Sequence, residues 1–168
     1  TGCQTEALVA AANKIGVKKQ LVRAGLPTPE WIAEDFGLPA AAGKLLADCG
    51  LGTSNPQSRV PSGCRNPKFI VKSIYEHASF EIDDTSIVEP AAVDEIVELV
   101  RNRSAITGKP FFAERFIEGR EFNLSLLGEP PEVLPPAEID FMAFPPMKRR
   151  IVGYGAKWTA SSFEFQNT

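Results

Sequence analysis

The stretch Glu114-Arg115-Phe116-Ile117-Glu118-Gly119-Arg120-Glu121-Phe122 is the most informative part of this 168-residue chain. It reads as strand, glycine break, strand. Phe111 to Phe116 is a largely apolar run. Glu121 to Leu127 alternates Phe122, Leu124 and Leu126 with Glu121, Asn123 and Ser125, the period of two expected of a strand with one covered face. Two carboxylates, Glu114 and Glu121, therefore flank a hinge-like turn at Glu118-Gly119. An edge segment such as Arg115 to Ile117 can offer backbone donors and acceptors to a flat heterocycle, with Phe116 or Ile117 covering its face. A charged β-turn would explain the glutamates but not the whole pattern.

Upstream, Phe69-Ile70-Val71 is a buried-strand run that ends in Lys72. A lysine is a compact point charge on a long stem, suited to phosphate oxygens at the mouth of a strand, although charged residues also mark solvated strand ends. The loop Ser73 to Phe80 can present N–H groups and a hydroxyl to an anion. It holds His77, the single histidine, which reads more simply as a hydrogen-bonded loop residue than as a base. Glu81 to Ile87 is expected to form another strand. After Pro90, Val93, Ile96, Val97 and Val100 recur at helical spacing, with Asp94 and Glu95 early and Arg101 and Arg103 late, matching the helix dipole at both ends. Downstream, Ala137, Ile139 and Phe141 alternate as a further strand.

Two short helices open the chain. Thr5 to Ala12 is rich in alanine. Lys14 to Ala24 places Val17 and Leu21 on one face and stops at Gly25, with Pro27 beyond it. Leu26-Pro27-Thr28-Pro29 is extended, because each proline pushes its predecessor out of the helical region, and a strand follows through Trp31 to Ala33. Residues 37–66 are the least legible. Ala40 to Ala47 suits a helix and Gly50 to Arg65 a long loop. Ala40-Ala41-Ala42-Gly43-Lys44-Leu45 fails as a P-loop, since Gly37 is one position too far away and Leu45 has no hydroxyl for a metal. The expected class is α+β, with mostly antiparallel strands in the second half.

The net charge of −3 gives no electrostatic reason to expect nucleic acid or an anionic membrane as partner. No uncharged apolar run approaches the roughly 18–20 residues that span a bilayer, and Thr1-Gly2-Cys3-Gln4 does not open a signal peptide. Three widely spaced cysteines, Cys3, Cys49 and Cys64, fit neither a disulfide framework nor a zinc site. They suggest reduced thiols and a cytoplasmic location.

Glu-x-Phe-Ile-x-Gly-x-Glu-Phe at 114–122 resembles the adenosine-binding signature of the ATP-grasp superfamily. The order of other segments is similar to the D-alanine–D-alanine ligases within it. Thr1-Gly2, Glu6-Ala7-Leu8 and Asn13-Lys14 look like their leading helices, and Gly25-Leu26-Pro27-Thr28-Pro29 like the lead into their central subdomain. Phe69-Ile70-Val71-Lys72 resembles the phosphate-lysine strand, and Gly155-Ala156-Lys157-Trp158 the later lysine motif. The resemblance spans nearly the whole chain apart from 37–66. It implies an ATP-grasp fold with a helical leading segment (1–28), a small subdomain (29–118) and the start of a larger one (119–168).

By this resemblance Glu114 meets the adenine amino group, the backbone of Arg115, Phe116 and Ile117 lines the base, and Glu121 holds the ribose hydroxyls. Lys72 and Lys157 contact phosphates and serve catalysis, Lys14 is a third phosphate lysine, and Ser79 belongs to the phosphate-covering loop. That loop, here Glu76-His77-Ala78-Ser79-Phe80, departs from the family in lacking glycine. The implied activity is ATP-dependent carboxylate–amine ligation through an acyl phosphate, with ATP, Mg²⁺ and small amino acids as cofactors and substrates and a homodimer allowed. The magnesium ligands are expected beyond Thr168 and the substrate domain before Thr1, so the chain is expected to be a fragment with little turnover alone. The competing reading is a nucleotide-binding or interaction module without catalysis.

Overall fold

The computed structural model describes residues 3–33 and 67–168. Within them the chain is mixed α and β, and its strands pair antiparallel. It divides into two compact units, Thr1–Ile117 and Glu118–Thr168. The helix expected over Ala40–Ala47, the loop over Gly50–Arg65, and Cys49 and Cys64 lie outside the described residues.

The first unit begins with α1 (Thr5–Ala12) and α2 (Lys14–Arg23). The Asn13 side chain accepts from the Gly16 N–H at 2.9 Å, capping α2. At the other end Gly25 takes a left-handed φ of +69°. Its N–H donates to Val22 O at 3.0 Å and the Leu26 N–H to Leu21 O at 2.9 Å, the paired bonds of a Schellman stop that a Cβ would strain. The buried face of α2 is not the expected Val17 and Leu21, which are half-buried. Ile15 and Lys18 are buried instead, because the lysine finds partners for its charge inside.

Strands β1 (Trp31–Ile32), β2 (Phe69–Ser73), β3 (Ile87–Val88) and β4 (Phe111–Arg115) form one sheet in the order β1-β4-β2-β3. Alternation sorts their side chains. Ile32, Phe69, Val71, Phe111 and Ala113 pack with Val93, Ile96 and Val100 of α3 (Val93–Thr107). Trp31 and Phe112 cluster with Ile15 of α2, Ala33 and Ile74. The sheet thus has α3 on one face and α2 on the other, and central β4 is buried on both. That double burial explains why Phe111-Phe112-Ala113 reads as one unbroken apolar run.

Three expectations in and around this sheet are corrected. Glu81 to Ile87 is not a strand. Ala78, Ser79 and Glu81 have positive φ, and Asp84–Ser86 is a 3₁₀ turn closed by a capping box between Asp83 and Ser86. Asp and Ser here bond to nearby backbone, which competes with a sheet ladder. Second, Arg101 and Arg103 do not end α3. It runs to Thr107, its last turn holds no basic residue, and Gly108 at φ +66° closes it. Arg103 reaches instead to Glu81 O and Thr85 Oγ1. Third, Lys72 is not the tip of β2, since Ser73 follows it in the strand.

In the second unit β5 (Phe122–Asn123) pairs with β8 (Ala137–Glu138), and β6 (Leu126–Leu127) with β7 (Glu132–Val133). The expected single strand over Glu121–Leu127 is therefore two short strands with different partners. The alternation through Phe141 is likewise a strand only at Ala137–Glu138. Phe122, Leu124 and Leu126 are exposed, so their alternation marks no covered face. Short helices α4 (Tyr154–Trp158) and α5 (Phe163–Gln166) follow. Phe144 stacks edge-on with Phe141 at 5.1 Å and packs against Phe163 at 5.5 Å. Among the described residues no helix is long and apolar enough to cross a membrane.

Candidate functional site

Strand alternation and one helical turn build the site. On β2 the residues facing α2 include Lys72. On β4 they are Phe112 and Glu114, and the register sets Lys72 opposite Phe112, which makes Lys72 and Glu114 diagonal neighbours on one face. Across from them α2 presents Lys14 and Lys18, one turn apart. These residues, with Val17, Thr28, Pro29 and His77, line a cavity of about 420 Å³.

Its centre is a carboxylate held by two ammonium groups. Glu114 Oε2 lies 2.7 Å from Lys18 Nζ, and Oε1 pairs with Lys72 Nζ. Glu114 and Lys18 are both buried. Lys18 also donates to Thr28 Oγ1 and Pro29 O, each at 2.8 Å, and sits over the Trp31 ring. Lys14 Nζ donates to Glu76 O at 2.5 Å, while the Glu76 carboxylate pairs with Lys109 at 2.5 Å. Three ammonium groups thus share one cavity with one carboxylate, an arrangement that favours an anionic ligand.

Burial holds the Lys14 ammonium below the usual lysine pKa of 10.5, and the Lys72 charge adds to that, while Glu114 and Glu76 oppose it. Lys18 is likewise lowered, first by burial, with Glu114 opposing and the Lys72 charge adding. A lysine lowered on folding binds fewer protons folded than unfolded between its folded pKa and 10.5. Its contribution to stability is therefore complete above 10.5 and lost as the pH falls through the folded pKa. Wild-type protein is expected to gain stability relative to Lys14→Met as the pH rises from neutrality towards 10.5. Urea denaturation of the two proteins across that range measures this, and a constant gap would contradict the assigned environment.

Of the residues singled out in the sequence, the structure brings together Lys14, Lys72 and Glu114, with His77 at the cavity wall. Ser79 is in the adjoining loop at φ 60°. The Arg115 N–H donates to Glu30 O at 2.9 Å and the Phe116 N–H to Lys68 O at 2.8 Å, so these two donors are committed to the fold. Ile117 follows, exposed. Glu121 and Lys157 belong to the second unit and both are exposed. The Glu121 carbonyl accepts from the Ile139 N–H, and Lys157 lies in the last turn of α4, where its charge complements the helix dipole. The second unit has its own cavity of about 430 Å³, whose lining includes Arg120, Glu138, Asp140 and Arg150. Arg120 grips Glu138 there in a two-bond fork at 2.6 and 2.5 Å.

Sequence reasoning missed Lys18. Its spacing of four from Lys14 was the available signal, since it puts both on one face of α2. No family model, curated protein or solved structure matches the chain.

Proposed function

We propose that this chain is the nucleotide-gripping part of an ATP-grasp carboxylate–amine ligase of the D-alanine–D-alanine ligase type. One observation carries the reading. Lys14, Lys72 and Glu114, which lie in separate segments that resemble the family, line the same cavity. In this reading Lys14 and Lys72 neutralise phosphate oxygens, and Glu114 accepts from the adenine amino group. With the Arg115 and Phe116 N–H groups committed, the Ile117 N–H is the donor left to the base. Activation of a carboxylate by phosphoryl transfer then depends on positioning and charge neutralisation more than on covalent chemistry. Among the described residues no group of three or more His, Cys, Asp or Glu could hold a metal ion. The roles proposed for Lys14, Lys72 and Glu114 are anion and base recognition.

Calorimetric titration with ATP tests the reading. A charge-assisted hydrogen bond contributes about 1.5–3 kcal/mol, so Lys72→Ala is expected to weaken ATP binding by roughly 10- to 100-fold. Exposed Arg23 at the end of α2 is the control, and Arg23→Ala should leave binding unchanged. Wild-type protein that fails to bind ATP, or equal affinity in Lys72→Ala, would overturn the assignment. Robust phosphate release that depends on an added amino acid would contradict the little turnover expected of this chain.

A further inference from the structure

The two ammonium groups on Glu114 are not equivalent. Lys18 has three N–H bonds and three acceptors, Thr28 Oγ1, Pro29 O and Glu114 Oε2, at 2.7–2.8 Å. Its hydrogen-bonding capacity is full, and its side chain is 7% exposed. Two of those acceptors belong to the Thr28-Pro29 segment that follows α2, so the ammonium is anchored by backbone structure and not only by charge. Lys72 holds the other oxygen, Oε1, with a side chain 23% exposed on the cavity wall. A lysine stem of four carbons lets that ammonium move towards a new anion.

We propose that Lys18 is the positioning residue of this site. It keeps Glu114 Oε2 fixed while Lys72 is drawn off Oε1 by an incoming phosphate, and the vacated Oε1 then takes an amino donor on the same ligand. This rests on the nucleotide reading above. An ionised carboxylate only accepts hydrogen bonds, so the freed oxygen favours a base with an exocyclic amine. A base with a carbonyl at that position sets two acceptors against each other. Phosphate and amine recognition become coupled, because the anion must remove the counter-ion before the amine can bind. Without Lys18, Glu114 has Lys72 as its remaining ammonium partner, keeps it, and turns with it. Base discrimination then falls, while Lys14 still meets the phosphates. A merely structural role for Lys18 would change stability and affinity without changing the preference between bases.

The test compares affinities for ATP and inosine triphosphate, which differ at the amine, in wild type, Lys18→Met and Lys18→Arg. Wild type is expected to prefer ATP by at least about 10-fold. Lys18→Met should reduce that ratio to below about 3-fold with inosine triphosphate affinity little changed, and Lys18→Arg should restore part of it. An undiminished ratio in folded Lys18→Met would overturn the proposal. Lysine ammonium ¹H–¹⁵N spectra of the wild-type chain, titrated with inorganic tripolyphosphate, give a second readout that needs no nucleobase and no variant. The Lys72 signal should shift while the Lys18 signal stays. A moving Lys18 signal, or no change in either, would refute the exchange of partners. Failure of wild type to bind either nucleotide, with the ammonium pattern as expected, would sink the nucleotide reading and leave Lys18 in its role.

Discussion

Glu114→Ala is expected to cost the first unit about 3–5 kcal/mol of folding stability, the usual penalty for removing one partner of a buried ion pair. The substitution leaves Lys18 buried with Thr28 and Pro29 as neutral acceptors and brings Lys72 and Lys14 together with no carboxylate between them. Both ions of the Lys18–Glu114 pair are about nine-tenths buried, so water cannot readily replace the lost charge. Urea denaturation followed by tryptophan fluorescence measures the loss, with Trp31 reporting from beside Lys18. The double variant Lys18→Met/Glu114→Leu should recover most of it, since apolar side chains of similar volume often replace a buried pair without cost. A loss below about 1 kcal/mol in Glu114→Ala would mean that the pair behaves as a solvated surface bridge.

Phe112→Ala should be comparably damaging, at about 3–5 kcal/mol for deleting a fully buried phenylalanine. Phe112 has no exposed surface and packs with Ile15, Trp31, Ala33 and Ile74, the cluster that joins α2 to the sheet. It also lies under Lys72, 5.8 Å from its ammonium. Loss of the ring therefore removes the floor of the cavity and loosens the helix that carries Lys14 and Lys18. The denaturation midpoint should fall with the m-value unchanged, and Phe112→Leu should cost less than about 1.5 kcal/mol. Because residues 112 and 114 share one face of β4, the Phe112→Ala and Glu114→Ala effects should not add. Strict additivity would show that the cluster and the ion pair are independent.

The sequence was most legible where local chemistry and tertiary packing agree. Gly25 ends α2 at a left-handed position that suits it, and the apolar rows of β2 and β4 are buried as their patterns suggest. It was misleading where polar side chains satisfy backbone locally. Asp83 and Ser86 turn a strand-like run into a 3₁₀ turn. At Phe122, Leu124 and Leu126 a period of two was present although all three are exposed, because periodicity reports a capacity for burial and not what covers the face. In the site, Lys72 stands out as the charged end of an apolar run and Glu114 as a carboxylate beside a glycine break, whereas Lys14 is singled out by the family resemblance alone. Lys18 was hidden because a lysine on a helix is ordinarily solvated, and only the fold supplies the three acceptors that allow it to be buried.

Loops usually absorb insertions and deletions more readily than the elements they join. The segment after α2 departs from that habit. It forms the stop of the helix at Gly25 and Leu26, and 11 positions after Lys18 it supplies the Pro29 carbonyl that holds the lysine. Adding or removing one residue there would shift the acceptors of a buried cation as well as reshape a surface turn. Over evolutionary time its length should therefore vary less than the identity of its exposed side chains, with Lys18 and Thr28–Pro29 inherited as a unit of fixed spacing.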